Sequence, residues 1–310
     1  MTFQPVEISV VIVNWNSKAL LMRCLGALFK TIDGIDFEIF VVDNGSLDGS
    51  VEAVRERYPE IRLIVNETNL GFAAANNQAL EKITGRYILL LNTDAEVAEG
   101  AVYSLFDFME KHPEAGMACG QLLDCDGGLQ NSIANFPTLI TLLFNESLLR
   151  FFFPKRFPSK LRTYHDPVEV ESCIGACMLV RKSAVDAVGV LDETFFFFFE
   201  ETDWALRMYR TGWKIYFVPN ARIIHGQGQS VGKRSDARIL YYRSRYAYFR
   251  KWYPHGYQVI GMIAFIRLLI NTLFTGVGIV LTLGVHKGLR DRLATYIRLV
   301  TWHLRGCPDI

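Results

Sequence analysis

The chain has 310 residues, half of them apolar, and a formal net charge of +1. That apolar content is ample for a buried core and excludes a disordered chain. The near-neutral total hides an asymmetry: from Gln229 onward thirteen Lys or Arg stand against three Asp, so the C-terminal quarter is a basic appendage.

The first twenty residues, MTFQPVEISVVIVNWNSKAL, lack a charged n-region and a small-residue cleavage site, so no secretory signal is expected. The next hundred alternate apolar runs with amphipathic patterns: EISVVIVN then SKALLMRCLGALFK, FEIFVVDN then SLDGSVEAVRERY, IRLIVNE then NLGFAAANNQALEKI, RYILLLN then AEGAVYSLFDFMEKH. Continuous β-branched runs separated by helices predict a doubly wound, mainly parallel α/β sheet covered on both faces. Ligands of such sheets bind beyond the carboxyl ends of the strands. Polar residues gather there four times in succession: Asn14 to Asn16, Asp43 to Ser46, Asn66 to Asn69, and Asn92 to Asp94. One such residue is ordinarily a helix cap or turn former; four consecutive strands with the same habit point to a site.

After about Gly116 the regularity fades. GMACGQLLD and ESCIGACMLVR read as strands, separated by a long stretch containing LLFNESLLRFFFPKRFPSKLR. Five phenylalanines, Phe195 to Phe199, run directly into Glu200, Glu201 and Asp203, and ETDWALRMYRTG reads as a helix ending at Gly212, with Trp204 in the core. KIYFVP and ARIIH follow as short strands. The six cysteines have neither zinc-site nor disulfide spacing and are expected to be reduced core residues in a cytosolic compartment.

The tail differs in kind. ARILYYRSRYAYFRKWYP is a basic, aromatic helical pattern, and Leu268 to Val285 is an uncharged run at the lower edge of what spans a bilayer. Arg and Lys lie on both sides of it, so both ends read as cytoplasmic, which favours an interfacial helix pair or a shallow re-entrant hairpin over a single span. A soluble helical subdomain is the competing reading.

Taken in order, VVIVNWNS, VVDNGSLDGS, NLGFAAANN, YILLLNTDA, the Glu-Glu-Thr-Asp-Trp after the phenylalanines and IIHGQGQS resemble family 2 glycosyltransferases of the GT-A fold. The chain is similar in particular to the bacterial rhamnosyltransferase-like branch that builds surface polysaccharide, over about residues 6 to 255. The chain pattern divides at about residue 228 into a catalytic domain, residues 1–228, which the resemblance makes GT-A in fold, and a basic, apolar helical region at 229–310 expected to associate with a membrane. It implies an inverting, metal-dependent transfer of a sugar, with rhamnose from dTDP-rhamnose as the best single choice, to a lipid-linked glycan acceptor at the cytoplasmic face of the cell membrane. The expected partners are therefore that donor, that acceptor and the membrane surface; no nucleic acid is expected, and a homo-oligomer is left open.

The resemblance also assigns residues. Asp43 matches the aspartate that accepts a hydrogen bond from the nucleotide base. Asn44, Gly45 and Ser46 form a tight turn, and Gly71 lets backbone approach the ligand. Asn14, Asn16, Asn69, Asn92 and Thr93 complete the nucleotide-sugar set with Asn76, which stands where many relatives carry Arg. Asp94 is the metal ligand, with His225 as a further one, for Mn or Mg. Asn92 replaces the first acid of the common Asp-x-Asp pattern, which weakens the metal site and supports the alternative of a catalytically idle nucleotide-sugar-binding or scaffold subunit. Glu201 matches the base, the second acid of a Glu-Asp pair in the family, and Glu200 and Asp203 are orienting candidates. Aromatic surroundings are expected to desolvate Glu201 and raise its pKa toward the range of a general base.

Overall fold

The computed structural model describes residues 6–144, 146–154, 156–159, 162–226 and 234–307. The N-terminal part runs β1 (Ile8–Asn14), α1 (Lys18–Thr31), β2 (Phe37–Asp43), α2 (Ser50–Arg57), β3 (Arg62–Val65), α3 (Phe72–Leu80), β4 (Tyr87–Leu91), β5 (Ala95–Val97), α4 (Ala101–Lys111) and β6 (Ala115–Leu123). It continues with β7 (Ile133–Ala134), α5 (Leu139–Leu143), α6 (Glu146–Phe152), β8 (Val168–Val170), β9 (Ser172–Cys173), β10 (Cys177–Arg181), α7 (Lys182–Val188), α8 (Glu200–Arg210) and β11 (Lys214–His225). Three helices follow, α9 (Arg234–Trp252), α10 (Tyr257–Leu281) and α11 (Lys287–Leu304).

The chain divides into two compact units. The first comprises residues 1–136 and 155–230, the second residues 137–154 and 231–310. The boundary expected after residue 228, and Gln227 to Ser230 of the late motif, lie outside the described residues.

In the first unit a nine-stranded sheet has the order β3-β2-β1-β4-β10-β6-β11-β5, with β8 also paired to β11. The pairs β1–β2, β1–β4 and β2–β3 are parallel, as the βαβ alternation requires. β1 and β4 are buried at almost every residue because helices cover both faces. α1 shows how: Leu21, Cys24, Leu25 and Leu28, spaced for one helical face, are its buried residues. β1 lies between β2 and β4, so the chain switches direction there and opens a crevice beyond the strand ends.

Beyond β4 the sheet becomes mixed. β10 inserts antiparallel between β4 and β6. The two short strands expected over KIYFVP and ARIIH form the single strand β11, whose pairing with β6 shifts between Val218 and Arg222. Pro219 falls inside that irregularity, where its missing N–H costs no ladder bond. Gly120 of β6 faces it, and a Cβ there would overlap the Ala221 carbonyl oxygen and Ile223 Cδ1.

All six cysteines are free. Cys24, Cys119, Cys173 and Cys177 are core residues as expected, and burial pushes the thiols of Cys24, Cys173 and Cys177 up, which keeps them protonated and inert. Cys125 and Cys307 are exposed, contrary to that expectation. Cys125 sits in a turn closed by Asp124, whose Oδ1 accepts the amides of Asp126 and Gly128.

The second unit packs α9, α10 and α11 around a small core of Ile239, Leu268, Leu299 and Trp302. Tyr246 donates its hydroxyl to His303 Nε2 at 2.7 Å, because His303 Nδ1 is committed to the Leu299 carbonyl. α10 is long and apolar enough to cross a membrane, and only 17% of its most apolar stretch is buried, unlike the core helix of a soluble protein.

The Gly120 contact gives a stability test. Gly120→Ala should lower the unfolding free energy by about 1–3 kcal/mol, the usual cost of overpacking a core, measured by urea denaturation of the full chain. An unchanged midpoint would show that β11 gives way freely at its irregularity.

Candidate active site

The ends of β1 and β2 meet in register at Asn14 and Asp43. Both are buried, and Asn14 Nδ2 donates to Asp43 Oδ2 at 2.8 Å and to Ser46 Oγ at 3.1 Å. Asp43 Oδ1 accepts the Ser46 amide at 2.8 Å. Asn16, with φ 49°, stitches the two loops together: its amide donates to Ser46 Oγ at 2.9 Å and its Oδ1 accepts the Leu47 amide at 2.8 Å. Asn14 Oδ1 is buried and accepts no hydrogen bond within the described residues. An unsatisfied acceptor therefore sits beside the Asp43 carboxylate, the arrangement that suits a ligand N–H or O–H.

The third strand end joins this loop pair through side-chain amides. Asn44 Nδ2 donates to Asn69 Oδ1 at 3.2 Å and to the Gly71 carbonyl at 3.1 Å, and its Oδ1 accepts from Asn66 Nδ2 at 2.9 Å. Asn69 Oδ1 also accepts the Gly71 amide. Asn66 and Gln78 exchange two amide bonds of 2.9 Å. Gln78 was invisible to motif reading, since its role depends on a fold that brings α3 beside β3. Gly45, at φ +75°, is close enough to this loop that a Cβ would lie 2.9 Å from the Glu67 carbonyl oxygen, so both its conformation and its packing require glycine. Asn76 stands apart from this amide network: its Nδ2 bonds back to the Phe72 carbonyl, and its buried Oδ1 is unpartnered among the described residues.

At the end of β4, Thr93 and Asp94 are buried, and Asp94 Oδ1 lies 3.6 Å from His225 Nε2. β5 and β11 cause this meeting, since Ala95 and His225 are antiparallel partners. Burial lowers the His225 pKa against the opposing charge of Asp94, so the ring is neutral. Gln130, which no motif singled out, fixes its tautomer. Gln130 Nε2 donates to the His225 carbonyl at 2.8 Å, which leaves Oε1 to accept Nδ1–H at 2.9 Å. The Nε2 lone pair thus faces the carboxylate, and two acceptors opposed across 3.6 Å fit a cation between them. Among the described residues no group of three or more His, Cys, Asp or Glu that could hold a metal is gathered.

The phenylalanine run is neither strand nor helix. Phe198 and Phe199 both adopt left-handed backbone, at φ 70° and 72°, a costly conformation for bulky residues that turns the chain abruptly into α8. The run is tied to the third strand end: the Phe72 amide donates to the Phe196 carbonyl at 2.7 Å, and a Cβ on Gly71 would lie 2.6 Å from that same oxygen. Asn77 holds the preceding loop, donating to the Leu191 carbonyl and to Glu193 and accepting the Leu191 amide.

This turn places Glu200 and Glu201 in the first turn of α8. Glu200 is buried, and burial followed by the charge of Glu201 raises its pKa well above the carboxylate range. Burial also raises Glu201, partly offset by hydrogen bonds from helix amides and from Thr202, whose Oγ1 donates at 3.1 Å. The turn at Gly175 and Ala176 links both halves of the site: the Asn92 amide donates to the Ala176 carbonyl at 2.9 Å, and a Cβ on Gly175 would lie 3.8 Å from Glu201 Cγ. Asp203 is fully buried and ion-paired at 2.9 Å with Arg207, whose guanidinium also donates to the carbonyls of Val188, Gly189 and Val190. That pairing anchors α8 to the end of α7. Trp204 is fully buried, as expected, and its Nε1 donates to the Gly189 carbonyl.

The family model for glycosyl transferase family 2 matches residues 9–189, and the chain belongs to that family. It is a glycosyltransferase. The chain is 28% identical over 257 residues to the N-acetylglucosaminyl-diphospho-decaprenol L-rhamnosyltransferase of Mycobacterium tuberculosis, covering 77% of this chain and 82% of that protein. It is 25% identical over 227 residues to a low-salt glycan biosynthesis hexosyltransferase of Haloferax volcanii, covering 71% of this chain and 67% of the relative. The fold is similar to that of a mannosyltransferase of Pyrobaculum calidifontis, solved in complex with GDP-Man and Mn2+, with a TM-score of 0.58, 16% identity, and coverage of 98% and 87% of the two chains. It is also similar to GalNAc-T7, solved with UDP, GalNAc and Mn2+, with a TM-score of 0.54 and 18% identity; 80% of this chain matches 51% of that one.

The buried acid pair yields a pH test. Glu200 has a folded-state pKa above its unfolded value, so it weakens the fold increasingly as pH rises out of the ordinary carboxylate range toward that raised value. Glu200→Gln should therefore raise the melting temperature more at pH 8 than at pH 5. A gain independent of pH, or none, would show that Glu200 is not held protonated in the fold.

Proposed function

We propose that this glycosyltransferase inverts the anomeric carbon of a nucleotide-sugar donor in one displacement, with Glu201 as the base. The supporting observation is the Gly175–Ala176 turn, which is bonded to Asn92 at the β4 end and lies against the Cβ and Cγ of the Glu201 side chain. The acceptor oxygen bonds to the anomeric carbon as the bond to the diphosphate oxygen breaks. Glu201 takes the acceptor proton, and the electron pair departs with the diphosphate. A carboxylate with a raised pKa is suited to that transfer. Glu200, protonated beside it, limits the charge in the buried turn, and Asp203 acts through Arg207 to set the helix from which Glu201 projects.

Asp43 and Asn14 Oδ1 are the acceptors proposed for the base. Trp15, 43% exposed between Asn14 and Asn16, offers a ring on which it stacks. Asp94 and neutral His225 would hold a divalent ion, Mn or Mg, which supplies Lewis-acid stabilisation of the leaving diphosphate when bound. Asn92 and Thr93 border that end of the donor site. Rhamnose from dTDP-rhamnose and a lipid-linked glycan are the proposed substrates, supported by the mycobacterial relative, whose name carries both a rhamnosyl transfer and a decaprenol acceptor. The basic second unit, with α10 largely exposed, supports a peripheral or monotopic place at the cytoplasmic face of the membrane.

Glu201→Gln should reduce turnover roughly a hundredfold to ten-thousandfold while donor affinity, measured by calorimetry, stays within a few-fold. Near-normal turnover in folded protein would remove Glu201 as the base. Asp94→Ala should weaken donor binding chiefly when Mn or Mg is present, and a chelator should reproduce the effect in wild-type protein. Activity that persists in excess chelator would assign the diphosphate to protein groups alone.

A further inference from the structure

The segment 137–154 interrupts the first unit in sequence yet belongs to the second. α10 carries one charged residue, Arg267, in the middle of an otherwise uncharged and mostly apolar helix. Its Nη1 donates to the Leu142 carbonyl in the last turn of α5, where a helix has carbonyls to satisfy. The charge that is out of place in an apolar run therefore holds the inserted helix against α10. Leu142 and Leu149 of the insertion are buried, at 1% and 5% exposure, whereas Phe151, Phe152 and Phe153 are 78%, 63% and 58% exposed. On α10, Leu273, Phe274 and Leu281 are 67%, 69% and 78% exposed. Aromatic and aliphatic residues exposed in such number on one unit mark an interaction surface.

We infer that α5, α6 and α10 form one membrane-inserting surface, with the inserted segment as a second prong beside α10, and that its occupant is an anionic lipid leaflet. The charge on the same unit selects that occupant. Thirteen Lys or Arg against three Asp from Gln229 onward complement acidic headgroups and would repel a second copy of the same surface. Arg267, bonded to the α5 carbonyl, keeps its partner at shallow depth without having to cross the hydrocarbon. The inference rests on the membrane reading given above and extends it from the tail to a segment outside the tail.

Hydrogen exchange of the full chain, with and without phosphatidylglycerol vesicles, tests it directly. Both 139–153 and 257–281 are expected to gain protection on vesicles, and less so on purely phosphatidylcholine ones. The triple change Phe151→Ser, Phe152→Ser and Phe153→Ser should weaken vesicle partitioning roughly tenfold to a hundredfold, with donor binding retained as the control for folding. Phe152→Asp alone serves if the triple variant fails to fold. Protection confined to 257–281, with wild-type partitioning kept by the phenylalanine variants, overturns the second prong and leaves the membrane reading standing. Wild-type protein that binds no vesicle overturns both. Protection of the two segments that rises with protein concentration without lipid identifies a second copy as the occupant and also overturns the inference.

Discussion

The antiparallel insertion of β10 between β4 and β6 is the constraint on which the site depends. Without it, the ends of β1, β2, β3 and β4 would still form a parallel-sheet crevice, but the Gly175–Ala176 turn would not be carried to the end of β4. Pairing with β4 carries the Gly175–Ala176 turn to the Asn92 amide, and the same turn backs onto Glu201. β11 makes the complementary closure from the other side, laying His225 against Ala95 and so beside Asp94. Proposed metal ligands and proposed base thus converge because two strands that follow the N-terminal motifs by about a hundred residues return to their ends.

Holding that convergence costs conformational energy. Phe198 and Phe199 in left-handed backbone are each unfavourable by about 1–3 kcal/mol. The surrounding contacts over-determine the turn: the Phe72 amide fixes Phe196, Asn77 fixes Leu191 and Glu193, Trp204 bonds Gly189, and the Asp203–Arg207 pair clamps the carbonyls of residues 188 to 190. A fused run of aromatics and acids is therefore coherent. The aromatics anchor and desolvate a sharp helix entry, and the acids occupy its first turn, where the helix amides favour them.

The second unit follows a different logic. Its core is small, and much of its apolar surface remains outside it, on α10 and on the inserted α5 and α6. A unit that buries so little of its apolar surface against itself, while carrying the chain's excess of cations, has the composition that the proposed lipid contact requires. Arg267 illustrates how one residue serves both needs, satisfying a helix end inside the unit while interrupting what would otherwise be an uncharged span.

Local pattern determined the first half of the fold. Runs of Val, Ile and Leu bounded by Asn, Asp and Gly give strands and their ends wherever helices cover both faces, so the parallel βαβ order, the four polar clusters and the buried Trp204 were legible residue by residue. Glycines at 45 and 71 were legible too, because turns that bring loops together exclude a Cβ. What local pattern left open were the relations made by long-range pairing, apart from the meeting of Asp94 and His225 that the family resemblance implied. Hydropathy cannot state that Cys177 to Arg181 run antiparallel to β4, that a proline-bearing stretch is one irregular strand, or that residues 137–154 belong with the tail. Nor does any motif announce Gln130, whose importance arises when a strand 95 residues later presents both a carbonyl and an imidazole to its amide. Periodicity reports which face of an element is buried; only the tertiary structure decides which distant element buries it, because hydrogen-bond partners across a sheet are chosen by geometry and leave no local trace.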